Sequence, residues 1–341
     1  TQTGDSPVLG SQLTYTGASL KVADANDDEE TRNESTTVLE RAAENFKSTA
    51  ENVTNYVIQI INKVKGNDNT LNVTLDNVNI KAKNDAALSV EGAGNTTIML
   101  KGDNTLTSGG YHAGLEHNEK DYYGKEDTGK LTITSGTDKN GSNTGSLTAT
   151  GAGCAAGIGS VWNTGKEKDS GAGTIEITGG DITATGAPDG AGIGSGAWAT
   201  GKTNITITGS ANVEAKATQD GAGIGSGSGA TGDTNITISG KATVNAQGVS
   251  DGAGIGGGAD ATGNTTVTIK DDATVEAVCK NVGDGIGGGS GSKNITVKIE
   301  GGTIKKAQGG KGYGSFYDGG DGIHSDTSLT ISGNATIDSA I

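Results

Sequence analysis

The segment DGAGIGSG at 189–196 returns unchanged at 220–227 and as DGAGIGGG at 251–258, each copy 31 residues from the last. One isoleucine among glycines cannot be buried by a unit of that length on its own. It needs an identical neighbour stacked above and another below. Aligned on that aliphatic position, the chain yields Leu88, Leu115, Ile158, Ile193, Ile224, Ile255, Ile286 and Ile323, with three steps of 31 and the others between 27 and 43. A constant core with elastic spacing is what loops inserted into a regular scaffold produce.

Each repeat holds three short strand-like pieces. The first is TNITITG at 203–209, matched by TNITISG at 234–240 and TTVTIKD at 265–271. Alternation sends Ile205 and Ile207 to one face and Asn204, Thr206 and Thr208 to the other. The second is ANVEA at 211–215, matched by ATVNA at 242–246 and ATVEA at 273–277, with Val213 and Ala215 inward. The third is the glycine motif itself, where glycines suit tight corners and close backbone approach. Three strands per turn, each pairing with its copy one coil along, predict an all-β, right-handed parallel β-helix of about nine coils over residues 67–341. Glycine numbers 61 of 341 residues and aromatics only 3%, so an aromatic-rich globular core is not available.

Residues 1–66 are expected to cap the open end of the stack, since an uncovered coil invites edge-to-edge pairing. The segment 36–51 carries a capping box, Thr37 with Glu40, and a stripe of Leu39, Ala42, Ala43, Phe46 and Ala50. This predicts one α-helix at about 37–51, followed by a strand at about 55–64.

The repeats GAGIGSG…TNITITG and the late segment GDGIHSDTSLTISGNATI resemble right-handed parallel β-helix surface proteins of Gram-positive anaerobes, a pectate-lyase-like family of adhesive and carbohydrate-binding domains. The likeness covers roughly 67–341 and rests on residues that build the coil. It implies an extracellular location and, in some members, polysaccharide binding with calcium.

Charge and composition exclude other classes. The formal charge is −15, which repels nucleic acid and offers no basic stripe for counterion release. No run of 18 apolar residues exists to insert in a membrane. A first residue of Thr1 rather than Met is what a mature secreted or trimmed chain presents. Cys154 and Cys279 lie four repeats apart, roughly 19 Å at the strand spacing, too far for a disulfide. Two free thiols are expected.

Catalysis has little to draw on. Both arginines, Arg32 and Arg41, precede the repeats, so no Arg is placed to abstract a proton on the solenoid. The three histidines, His112, His117 and His324, share no motif. Asp189, Asp220 and Asp251 recur four residues before the ladder isoleucine and are candidate calcium ligands. The simpler alternative is that each accepts hydrogen bonds from the glycine amides of its own corner. Trp162 and Trp198 follow the third strand on consecutive coils, and Tyr122 and Tyr123 fall in the corresponding longer loop. These four are the candidate ligand-binding edge, for a sugar ring or a protein partner, or else they cover loop backbone. The expectation is a monomeric, non-catalytic extracellular adhesin or polysaccharide-binding module, whose partner is a polysaccharide or a host or bacterial surface protein. The alternatives are a polysaccharide lyase or hydrolase on the same fold, and a structural stalk.

Overall fold

The computed structural model describes residues 9–10, 18–24, 37–39, 43–47, 56–63, 70–120, 127–163, 171–313 and 318–341. They form an all-β parallel solenoid of about eight turns. Nine first strands, from Leu71–Asp76 to Ser328–Ile331, pair in parallel with one another and bound those turns. Second strands, for example Asn212–Lys216 and Thr243–Gly248, form an adjoining ladder, and the two-residue third strands form a separate sheet.

Register follows the repeat. Ile205 stands beside Ile236, Val213 beside Val244, and Ile193 beside Ile224. Ile193, Ile224, Ile255 and Ile286 have no exposed surface, so the opening motif supplies one rung of an internal column. Burying each such side chain contributes about 1.5–3 kcal/mol, realised only when both neighbouring coils are in place.

The glycine after Ile193, Ile224 and Ile255 is required for two reasons. Gly194, Gly225 and Gly256 have φ of 140°, 141° and 134°, a region L side chains avoid. A Cβ on Gly225 would also run into the carbonyl oxygen of Gly256 in the next coil. The serine of the motif has its own partner: the buried Ser195 Oγ accepts from the Gly227 amide (3.0 Å), and Ser226 Oγ from Gly258 (2.9 Å). Where the third copy reads GGG, Gly257 has no hydroxyl, and the Ser292 side chain lies against that position instead. Cys154 and Cys279 are free thiols.

The N-terminal region departs from expectation. Within the segment assigned to a helix, Thr37–Leu39 and Ala43–Lys47 are strands; the remainder of 37–51 lies outside the described residues. Ala43–Lys47 adds in parallel to Leu71–Asp76, and Thr37–Leu39 pairs antiparallel with Ala18–Asp24. An unpaired solenoid edge offers a full row of backbone donors and acceptors, and satisfying it outweighs a local helical pattern. The strand expected at about 55–64 is Tyr56–Asn62, parallel to Leu88–Glu91 on one side and antiparallel to Ala18–Asp24 on the other.

Candidate functional site

The loops on either side of the third strand meet across neighbouring coils. From Leu115 to Ile286, the residue four places before a ladder position offers its carbonyl to the amide four places after the ladder residue of the next coil. Thus Trp162 donates to Tyr111 O (3.3 Å), Ala197 to Cys154 O (2.9 Å), Ser228 to Asp189 O (2.8 Å), Ala259 to Asp220 O (2.8 Å) and Ser290 to Asp251 O (2.7 Å). The aromatic edge and the aspartate column, which the sequence presents as separate features, are therefore adjacent columns of one stripe.

At one end of the stripe the rings are displayed. Trp198 is 57% exposed and Tyr111 is 55% exposed. Trp198 sits at φ 59°, its amide donates to Ser228 O (2.8 Å), and its carbonyl accepts from Asn163 Nδ2 (3.0 Å). The ring lies over Gly229, where a Cβ would come within 2.5 Å of the indole Cε3. The next coil thus provides the floor and leaves the opposite face of the indole to solvent. Trp162 is half-buried against Tyr111, ring centroids 4.8 Å apart and planes at 53°. Its Nε1 is closed off from solvent without a hydrogen-bond acceptor. Tyr122 and Tyr123 lie outside the described residues.

Tyr111 escaped the sequence reading because it precedes its third strand rather than following it. The usable signal was alignment: Tyr111 occupies the place of Cys154 and Asp189 in later coils. Beside it, His112 Nδ1 contacts Glu116 Oε2 at 2.7 Å and its Nε2 lies 3.9 Å from Asp85 Oδ1. Asn118 Nδ2 donates to Glu116 Oε1 (3.0 Å). A histidine between two carboxylates is a grouping that sequence spacing did not reveal, since Asp85 belongs to the preceding coil.

Along the rest of the stripe stand half-buried aspartates. Burial, then the neighbouring Asp220, push the Asp189 carboxyl above the usual carboxylate range. Burial first, opposed by the Ser250 hydroxyl, raises Asp251. Cys154 Sγ lies 3.8 Å from Asp189 Oδ2, and burial followed by that carboxylate raises the thiol. Calcium needs six to eight oxygens around one point. Asp189, Asp220 and Asp251 instead stand one above another on successive rungs, and no group of three or more ligating side chains converges among the described residues. As placed, this donor set does not fit the ion. Nor do the side chains of these residues cap their own corners. They serve through backbone, Asp189 at φ 67° and all three by their carbonyls. The corner-capping role belongs to Asp284, which accepts from the amides of Gly288 and Asp321, both at 2.8 Å.

Comparison with known proteins matches residues 175–197, 205–228 and 236–259 to the Beta helix repeat family model. These stretches are three consecutive coils, each running from the first strand through the third. Neither the curated proteins nor the solved structures give a match.

Proposed function

We propose that the chain is a non-catalytic, extracellular polysaccharide-binding module that acts as a monomer and engages sugar rings on the edge formed by Tyr111, Trp162 and Trp198. The observation that carries this reading is the pair of exposed aromatic faces, on Tyr111 and Trp198, held by backbone hydrogen bonds in loops packed coil on coil. A ring pinned at its backbone loses little freedom on binding, so its apolar face can contribute where a mobile one would not. His112, next to Tyr111 in the chain and only half-buried, offers a polar group beside the edge. A surface-protein partner would use the same anchors.

A glycan array with wild type and with Trp198→Ala and Tyr111→Ala variants tests the reading. Binding to one polysaccharide class, weakened tenfold or more in both variants and unchanged by EDTA, is the expected result. Equal binding by wild type and variants would overturn it. The grouping of Asp85, His112 and Glu116 favours a second reading, hydrolysis of a polysaccharide, since a glycosidase works with two carboxyl groups across one bond. Release of reducing sugar by wild type but not by Glu116→Gln would replace binding with catalysis.

A further inference from the structure

The order of the rings on the aromatic edge narrows the class of glycan that fits it, an inference that rests on the reading of that edge as a sugar-binding surface. The three rings come from consecutive coils. Third strands at Leu115, Ile158 and Ile193 pair in register, and Tyr111, Trp162 and Trp198 belong to those coils in that order. Tyr111 and Trp198 are more than half exposed, whereas Trp162 between them is half-buried, its plane turned 53° from that of Tyr111. Along the solenoid the edge therefore reads platform, recess, platform.

Each platform rests on a glycine of the next coil. A Cβ on Gly153 would collide with the Tyr111 ring at Cδ1, and one on Gly229 with the Trp198 indole. Both glycines have positive φ, 59° and 65°. The two rings thus lean the same way along the axis, by one coil each, and the two-coil separation of their backbones is kept between the rings. At the strand spacing that separation is about 10 Å along the axis. The slot two coils beyond Trp198 is Asp260, which has φ 54° and lies over Gly291 in the same manner.

We infer that the edge binds the interior of an extended β-1,4-linked glycan laid along the solenoid axis, with sugars n and n+2 stacked on Tyr111 and Trp198. In such a chain each sugar is turned over relative to the last. The same apolar ring face therefore returns at every second sugar, and two sugars span nearly the same length as two coils. The middle sugar presents its opposite face, which needs room and no platform, and at that coil Trp162 stands back. An α-1,4-linked chain curls away from a straight row and meets one platform only. Two platforms on one rigid scaffold also add avidity, because once the first sugar is seated the second meets its ring intramolecularly.

Titration calorimetry of the full chain tests this with β-1,4-linked oligomers of glucose, xylose and N-acetylglucosamine, two to six sugars long, and with maltohexaose. Wild type is expected to bind at least one β-linked series, roughly tenfold more tightly as trimer than as dimer. Its affinity should level off at the trimer, and maltohexaose should bind no better than the dimer. Trp198→Ala and Tyr111→Ala should each bring the trimer down to the affinity of the dimer. Asp260→Trp, which extends the row at the same interval, should move the plateau from trimer to pentamer; added apolar surface alone would raise every length alike. Affinity independent of length, preference for maltohexaose, or a plateau left at the trimer in folded Asp260→Trp overturns the inference. Glycan binding on the array without binding to any of the three β-linked series overturns it too, and leaves the sugar-binding reading intact. No glycan binding in either experiment overturns both. Circular dichroism of each variant ensures that a loss is read only from folded protein.

Discussion

Between Leu88 and Ile193 the ladder steps are 27, 43 and 35 residues; between Ile193 and Ile286 every step is 31. The two regions share the same carbonyl-to-amide clasp and the same internal column. They differ in what hangs on it. The irregular coils carry Tyr111, Trp162, His112 and Glu116, with Trp198 at the junction. The regular coils carry Asp220 and Asp251, and put Gly229 and Asp260 in the slot of Trp198. A scaffold held by repeated backbone pairing tolerates any loop that preserves the clasp, so chemical variety collects where the repeat length is broken.

The largest test of the shared scaffold is Gly225→Val. Its φ of 141° and the Gly256 carbonyl above it leave no room for a side chain, and a loss on the order of 3–5 kcal/mol is expected, measured as a fall in urea midpoint. Ile224→Ala should cost about 2–5 kcal/mol by opening a cavity in the column. Leu329→Ala, in the 48%-exposed position of the last coil, should cost within about 0.5 kcal/mol. Equal costs at the two sites would show that stability is not propagated coil to coil.

Asp260→Trp asks whether a regular coil can be given the property of an irregular one. Asp260 has φ 54° against 59° for Trp198, and its side chain lies over Gly291 as the indole lies over Gly229. The variant should fold as wild type and raise affinity for the array ligand severalfold. A fall in melting temperature of many degrees would mean that the slot is not interchangeable.

The smallest effects are in pH dependence, and they run in opposite directions at His117 and at Asp189. His117, in the irregular part, is fully buried, and burial depresses its pKa. It does so although two carbonyls, Ala172 O at 2.7 Å and Gly129 O at 2.9 Å, face its nitrogens and favour the charged ring. With the folded pKa below the unfolded one, the unfolded chain takes up the proton first. Stability is therefore expected to fall as pH drops below about 6.5, and a His117→Gln variant should lose that slope in thermal melts. Asp189 is the reverse case, an acid with a raised pKa. Ionisation opposes folding at neutral pH, and the penalty disappears as pH falls through the folded value towards the unfolded one. Asp189→Asn, which tolerates the same φ, should raise the melting temperature slightly at pH 7 and leave it unchanged at pH 3. A gain that persists at pH 3 would assign the effect to something other than charge.

The coil itself was legible in the sequence because its determinants are local and periodic. Ile193, Val213 and Ile205 each declare an inward face by alternation, and the 31-residue step places their copies in register. The glycines were legible for the same reason, as corners that recur. What the sequence could not rank was a segment present once. At Thr37–Leu39 and Ala43–Lys47 the helical pattern was real, but strand pairing with the rest of the molecule decided the outcome.

The functional surfaces depended on relations the one-dimensional repeat does not encode. Tyr111 meets Trp162 because a loop before one strand packs on a loop after the next, 51 residues along. Lys305 is extra in its strand because the ladder slips by one residue between Val275 and Glu276, a shift the repeat does not announce. Sequence by itself determined the internal column, since burial acts on each coil through the same alternation. Tertiary structure alone decided which outward groups stand together and which remain unsatisfied, because those properties depend on the separation between coils and on the paths of loops that do not repeat.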